Sequence, residues 1–232
     1  MAVEGFDLGG KKALVIGVES SAGQAIALAL AEAGADVATA STDKDAESVA
    51  SEIGSAVQTA KVRLGRIDIL VNCADLFLAK PAQEISDAEW QRVVSVNLSS
   101  VFFACRAVGP SMAQQGWGRI INVASGLGER GLPNCSAYCA AKGGVLNLTR
   151  ALAQEWAAAG VTVNAIAPAW MEDTPGLGDP DPESNRLIRY IPMRRAGRAD
   201  EIGPLAVYLA SDSAGYMTGR TLFVDGGLLA HL

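Results

Sequence analysis

Short apolar runs rich in β-branched residues recur along the chain at 13–16, 37–39, 67–71, 119–123, 161–166 and 221–224. Runs of this kind, without polar alternation, predict strands buried on both faces, as in a parallel sheet. Between them apolar positions fall at helical spacing, over roughly 23–33, 44–63, 87–115, 136–158 and 199–210. Strand and helix alternate with no Pro/Gly/Ser-rich linker, so residues 1–232 read as one α/β domain, a doubly wound parallel sheet with helices on both faces. Two stretches break the alternation. The segment at about 170–197 carries Pro175, Gly176, Gly178, Pro180, Pro182 and Pro192, and is long for a structureless connection, which predicts a lid over a substrate site. Between the strand end near Ser41 and the run that starts at Ile67 lie 25 residues. A helix-strand-helix insertion needs roughly 35 or more. A third strand and its adjoining helix are therefore expected to be shortened or missing.

Composition narrows the class. Of 232 residues half are apolar and 19% charged, enough for one self-sufficient core. The net charge is −6 and no Lys/Arg run exceeds two residues, which argues against nucleic acid or an anionic membrane surface as partner. The N-terminal residues lack the basic and apolar regions of a signal peptide, and no uninterrupted apolar run reaches about 18 residues, so the expected location is the cytoplasm. Cys73, Cys105, Cys135 and Cys139 form no C-x-x-C pair and are expected to be free, mostly buried thiols. The one histidine, His231, is the penultimate residue, which leaves no Ser-His-Asp triad and no histidine-based metal site.

The first apolar run leads into Gly17-Val18-Glu19-Ser20-Ser21-Ala22-Gly23 and then a helix. A glycine turn between strand and helix lets backbone N–H groups and the positive helix end approach a pyrophosphate, so Gly17, Ser20, Ser21, Ala22 and Gly23 are candidate dinucleotide contacts. Two glycines near a helix start are also ordinary as turn and packing residues. The second run ends at Ser41 and Thr42, where a carboxylate would hold the ribose 2′-hydroxyl of NAD(H). Neither residue is acidic and no Arg replaces it, while Glu19, Asp43 and Asp45 are near in sequence. The choice between NADP(H) and NAD(H) stays open, with the balance slightly toward NADP(H).

The richest chemistry lies at 122–142, which contains Ser125 at a strand end and Tyr138 and Lys142 four residues apart. That spacing puts the phenol and the ammonium on one helix face. The cation favours the phenolate and is expected to lower the tyrosine pKa toward working pH, allowing the phenol to give or take a proton. Taken singly, a Tyr/Lys helix pair is commonly a surface contact and a serine after a strand a turn residue.

With its Y-x-x-x-K pair and upstream serine, the sequence resembles the short-chain dehydrogenase/reductase family, and within it the 3-oxoacyl-carrier-protein reductase-like members. The resemblance covers nearly the whole chain. It extends to Ser-Val-Asn97-Leu-Ser-Ser, to Asn72-Cys73-Ala74, to Pro168 after a strand, and to the ending Thr-Leu-Phe-Val-Asp225-Gly-Gly. It implies a Rossmann-type sheet of seven strands and an NAD(P)-dependent oxidoreductase that interconverts an alcohol and a ketone or aldehyde. In it Tyr138 is the general acid/base, Ser125 bonds the reacting oxygen, Lys142 binds the nicotinamide ribose, and Asn97 holds a water in the proton relay. Asn72, Ala74, Pro168, Tyr138 and Lys142 join the cofactor contacts. It also implies a homotetramer or homodimer paired through the helices at 87–115 and 136–158. Leu127, Leu132, Asn134, Trp170, Met171 and Leu177 would line an apolar pocket for a small-molecule alcohol or carbonyl substrate.

Three positions depart from the family pattern. Ser21 stands for a glycine of the phosphate loop, Asp75 for the glycine of N-N-A-G, and Ala169 for the glycine after Pro168. Ser21 adds a side chain toward the phosphates, Asp75 a carboxylate near the ribose, and Ala169 cannot readily take a positive φ. These departures, with the short 42–66 segment, leave one alternative: a dinucleotide-sensing or structural subunit that keeps the fold and binds cofactor weakly.

Overall fold

A computed structural model describes residues 5–42, 49–174 and 187–230, and in them the apolar runs become one parallel sheet of six strands. The strands are β1 (Lys12–Ile16), β2 (Asp36–Ala40), β3 (Ile69–Asn72), β4 (Gly118–Val123), β5 (Val161–Pro168) and β6 (Thr221–Val224). Their order is β2-β1-β3-β4-β5-β6. The chain runs outward from β1 to β2 and then returns to place β3 on the other side of β1. This reversal opens a crevice outside the carboxyl ends of β1 and β3, where such sheets bind ligands.

Residues alternating along the strands serve two cores. Leu14, Ile16, Leu70 and Ile120 pack with residues of α2 (Val49–Leu64), α4 (Ser100–Gln115) and α5 (Ser136–Trp156). Ala13, Val15, Val71 and Ile121 face the opposite way, toward α1 (Ser21–Glu32) and α6 (Gly203–Ala210). The four inner strands, β1, β3, β4 and β5, are covered on both faces, which is why their sequences are apolar runs rather than alternations, whereas the edge strands β2 and β6 are partly exposed.

The sheet ends on β2, one parallel strand short of the seven that the family resemblance implies. Only residues 43–48 separate Thr42 from the start of α2, too few for a strand and a helix, and α2 leads straight into β3. The helix expected over 87–115 is continuous and contains a π turn (Ser95–Ser99) between its two α-helical parts, α3 (Asp87–Val94) and α4. The π turn inserts one residue into the helical ladder at Asn97, and such insertions gather at functional sites.

A buried polar chain ties the sheet to α5. Asn72 Nδ2 donates to Asn122 Oδ1 at 2.9 Å, and Asn122 Nδ2 donates to Thr149 Oγ1 at 2.9 Å. Asn122 and Thr149 are fully buried, so an Asn122→Ala variant strands two polar partners. It is expected to lose about 2–4 kcal/mol of stability in a denaturant titration; a loss below about 0.5 kcal/mol would show the chain to be dispensable.

Candidate active site

The glycine loop begins with Gly17 at a φ of +96°, and a Cβ there would lie 2.2 Å from the Ala74 amide. Glycine is required by both the conformation and the approach of the loop that follows β3. Ser20 caps α1: its hydroxyl accepts from the Gly23 amide at 3.1 Å and donates to the Gly17 carbonyl at 2.9 Å. A Cβ at Gly23 would meet the Gly17 carbonyl oxygen at 2.3 Å, so this turn closes only with two glycines. The result is a helix N-terminus whose first amides face the crevice, the arrangement that binds phosphate. Ser21 donates to the carboxylate of Asp173, joining the glycine loop to the segment after β5.

At the end of β2, Ser41 is exposed and away from this cleft, whereas Thr42 is buried and donates to Glu19 Oε1 at 2.7 Å. The carboxylate missing from the strand end is thus supplied in space by the glycine loop. Ala74 is buried behind Gly17, and Asn72 belongs to the core polar chain rather than to the surface of the cleft.

Ser125 follows β4 in extended conformation and accepts from the Leu127 amide at 3.1 Å, which leaves its hydroxyl proton free to donate. The turn it starts lies against α5, where a Cβ on Gly128 would come within 2.9 Å of the Lys142 carbonyl carbon. That close approach brings Ser125 to the face of α5 that carries Tyr138 and Lys142. Lys142 is 1% exposed; its ammonium donates to the Val123 carbonyl at 3.3 Å and lies 5.6 Å from the Tyr138 ring centroid.

The strongest partner of both groups is Asp75. Its Oδ1 accepts from the Tyr138 hydroxyl at 2.9 Å and pairs with the Lys142 ammonium at 2.8 Å. Burial first, and then the charge and hydrogen bond of Asp75, push the Tyr138 phenol well above its ordinary pKa, while the Ser125 hydroxyl acts the other way. The expectation that Lys142 lowers this pKa is therefore corrected: the cation is neutralised by a carboxylate that touches the phenol as well.

Asn97 is fully buried. Its Nδ2 donates to the carbonyls of Leu76 and Val93, both at 2.9 Å, and its Oδ1 accepts from the Leu76 amide at 3.1 Å. With these three bonds its side chain holds the loop next to Asp75.

A cavity at the mouth of the crevice gathers Ser20, Ala22, Asp75, Ser125, Leu127, Tyr138, Pro168, Trp170 and Met171. Phe77 packs edge-on to Tyr138 with centroids 5.1 Å apart and edge-on to Trp170 at 6.4 Å, forming an aromatic wall. Leu132 and Asn134 stand outside it. Leu132 packs on the neighbouring apolar cluster, and the exposed Asn134, at a φ of +65°, accepts from the Lys80 amide through its carbonyl. Ala169 keeps a negative φ and donates to the Val224 carbonyl at 3.1 Å, so the lost glycine costs no strain. Leu177 and the middle of the expected lid lie outside the described residues; the described ends of that segment are joined by a parallel bridge between Met171 and Gly197. Among the described residues no group of three acidic, histidine or cysteine side chains could hold a metal ion. Phe77, Leu228 and Asp173 line the cavity without having been picked out in the sequence, since they come from three loops distant along the chain.

The residues present fit a dinucleotide: glycine cradles and a helix N-terminus at one end of the crevice, a hydroxyl, phenol and ammonium at the other. A Gly17→Ala variant is expected to lose about 2 kcal/mol or more, read as a fall of several degrees in Tm. An unchanged Tm would mean that the loop after β3 does not press on this turn.

Residues 48–229 match the family model described as enoyl-(acyl carrier protein) reductase. The chain is 46% identical over 169 residues to the acetoacetyl-CoA reductase of Allochromatium vinosum, covering 73% of this chain and 69% of the relative. It is 37% identical to the 2-dehydro-3-deoxy-D-gluconate 5-dehydrogenase of Bacillus subtilis, covering 98% of each. Among solved structures, a gluconate 5-dehydrogenase from Burkholderia cenocepacia in complex with NADP and tartrate superimposes with a TM-score of 0.89 at 32% identity, over 98% of each chain.

Proposed function

The chain belongs to the short-chain dehydrogenase/reductase family and is an NAD(P)-dependent oxidoreductase; we propose that it interconverts a secondary alcohol and a ketone, with Tyr138 as general acid/base. One observation carries this reading: Ser125 and Tyr138 line a single apolar cavity, and the Tyr138 hydroxyl lies 2.9 Å from one carboxylate oxygen that also pairs the buried Lys142.

In reduction the Tyr138 hydroxyl gives its proton to the carbonyl oxygen, and Ser125 donates a hydrogen bond to the same oxygen. In oxidation the proton returns to Tyr138. Ser20, Ser21, Ala22 and the α1 N-terminus would hold the diphosphate of the cofactor, and Lys142 with Tyr138 its nicotinamide ribose. The bound nicotinamide supplies or accepts the hydride. Raised by burial and Asp75, the phenol is protonated across neutral pH, the state from which reduction starts.

The cavity favours an apolar substrate. Leu127, Trp170, Met171, Phe77 and Leu228 form its walls, and among the described residues neither Arg nor Lys lines it. Among the described lining residues a sugar acid would meet Asp75 and Asp173 and no cation to bind its carboxylate, whereas a 3-oxoacyl group needs only the hydroxyls at its ketone. We extend the reading to self-association through α3, α4 and α5, supported by Trp90 and Phe102, exposed on α3 and α4. Four free thiols suit a reducing compartment such as the cytoplasm.

A Tyr138→Phe variant keeps the ring packed against Phe77 and removes only the proton donor. Reduction of acetoacetyl-CoA should fall by roughly a thousandfold or more, with NADPH affinity nearly unchanged. Turnover retained within tenfold would remove Tyr138 from the reaction. A Phe102→Glu variant should shift the protein to a smaller species in analytical ultracentrifugation, whereas unchanged sedimentation would rule out pairing through α4.

A further inference from the structure

The proton path of the proposed reaction includes a carboxylate that the family pattern lacks. Asp75 enters from the loop after β3, a loop pinned on one side by its close passage over Gly17 and on the other by the three hydrogen bonds of Asn97. Its side chain is 38% exposed, whereas Tyr138 and Lys142 are buried. One oxygen, Oδ1, serves both the phenol and the ammonium, so phenol, carboxylate and ammonium form a closed triangle at the cavity wall. We propose that Asp75 is a positioning residue of this reaction centre, holding the Tyr138 phenol as a proton donor and taking up the charge of Lys142. The proposal rests on the reading of Tyr138 as the acid/base.

The sign follows from the charges. A carboxylate beside the phenol opposes formation of a second negative charge there, and its pairing with Lys142 cancels the one cation that would favour the phenolate. Ionisation of Tyr138 therefore moves to higher pH, and the centre keeps its proton over a wider range than a Tyr–Lys pair alone. Asp75, in place of the glycine of the family pattern, thus keeps the phenol protonated to higher pH, the state from which carbonyl reduction starts, while making it a weaker acid.

The other groups that face Tyr138 contribute less than Asp75. From α5 come Lys142 itself and Cys139, which adds to the rise as its last and smallest cause; from the end of β4 comes Ser125, which favours the phenolate. From the end of β3 comes Cys73, whose thiol is pushed up to about 11 by burial and is uncharged near neutral pH. From the segment after β5 comes Asp173, whose carboxylate is engaged by Ser21 at the far side of the cavity.

The test is a spectroscopic titration of the purified full-length protein, following tyrosinate absorbance, with the Tyr138→Phe form of each variant subtracted to isolate Tyr138. Asp75→Asn retains the shape and an acceptor oxygen; Asp75→Gly restores the family residue. Both are expected to move the Tyr138 step to lower pH by about one unit or more, and Asp173→Asn to leave it in place. The ascending, acidic limb of the pH–rate profile for oxidation of 3-hydroxybutyryl-CoA, where Tyr138 must lose its proton to act as the base, should move by the same amount. A Tyr138 step unmoved in both Asp75 variants, or moved equally by Asp173→Asn, overturns the proposal. Because the titration needs no turnover, it is decided separately from the enzymatic reading: a shift in absorbance without activity toward any alcohol would uphold the coupling while removing the proposed reaction.

Discussion

A buried ammonium sets the terms for this centre. Lys142 is 1% exposed and surrounded on α5 by the apolar packing of the core, where an unpaired charge is costly. It finds two oxygens, the Val123 carbonyl at the end of β4 and the Asp75 carboxylate after β3. Both are available only because the strand ends stand side by side: β3 and β4 pair from Ile69–Arg119 to Asn72–Asn122, and the polar chain through Asn72, Asn122 and Thr149 locks that register to α5. Gly128 lets the turn after β4 approach the helix backbone, and with it Ser125. Phenol, hydroxyl and ammonium are thus placed by the sheet, not by flexible side chains.

The other end of the crevice obeys a different economy. Loss of a strand-helix pair leaves β2 as the sheet edge, yet both cores persist, because α2 still crosses to β3 and covers Leu14 and Ile16. The glycine turn does not depend on the missing pair: its shape is set by Gly17 against Ala74 and by the Ser20 cap of α1. What changes is the margin at the end of β2, where Thr42 donates to Glu19 of the glycine loop. The truncation therefore trims the side of the crevice remote from the phenol while leaving the reacting end intact.

Much of this was legible in the sequence. The six strands follow from apolar runs, and the missing pair from counting the 25 residues of 42–66 against the length of real elements. The Tyr138–Lys142 pair is a helix spacing, readable without a fold. The π turn at Asn97 was not legible, because one inserted residue scarcely alters the apolar period across 87–115, and its cause is a set of hydrogen bonds to Leu76 more than 20 residues earlier. Leu132 and Asn134 looked like pocket residues by nearness to Tyr138 in the chain, but the turn directs them away from the cavity. The presence of a carboxylate at position 75 was visible; its contact with a phenol 63 residues away was not. That contact reverses the direction of the tyrosine's pKa shift expected from its helix neighbour alone.

The central claim is that one crevice joins a working dinucleotide cradle to the Tyr138 centre. Titration of the purified protein with NADPH and with NADH, followed by nicotinamide fluorescence, tests it most directly. The account predicts saturable binding of at least one of them with Kd in the range of about 1 μM to 1 mM, in keeping with ordinary enzyme affinities. Failure of both to bind at millimolar concentration would contradict it, since the glycine turn and α1 would then be packing features and not a cofactor site.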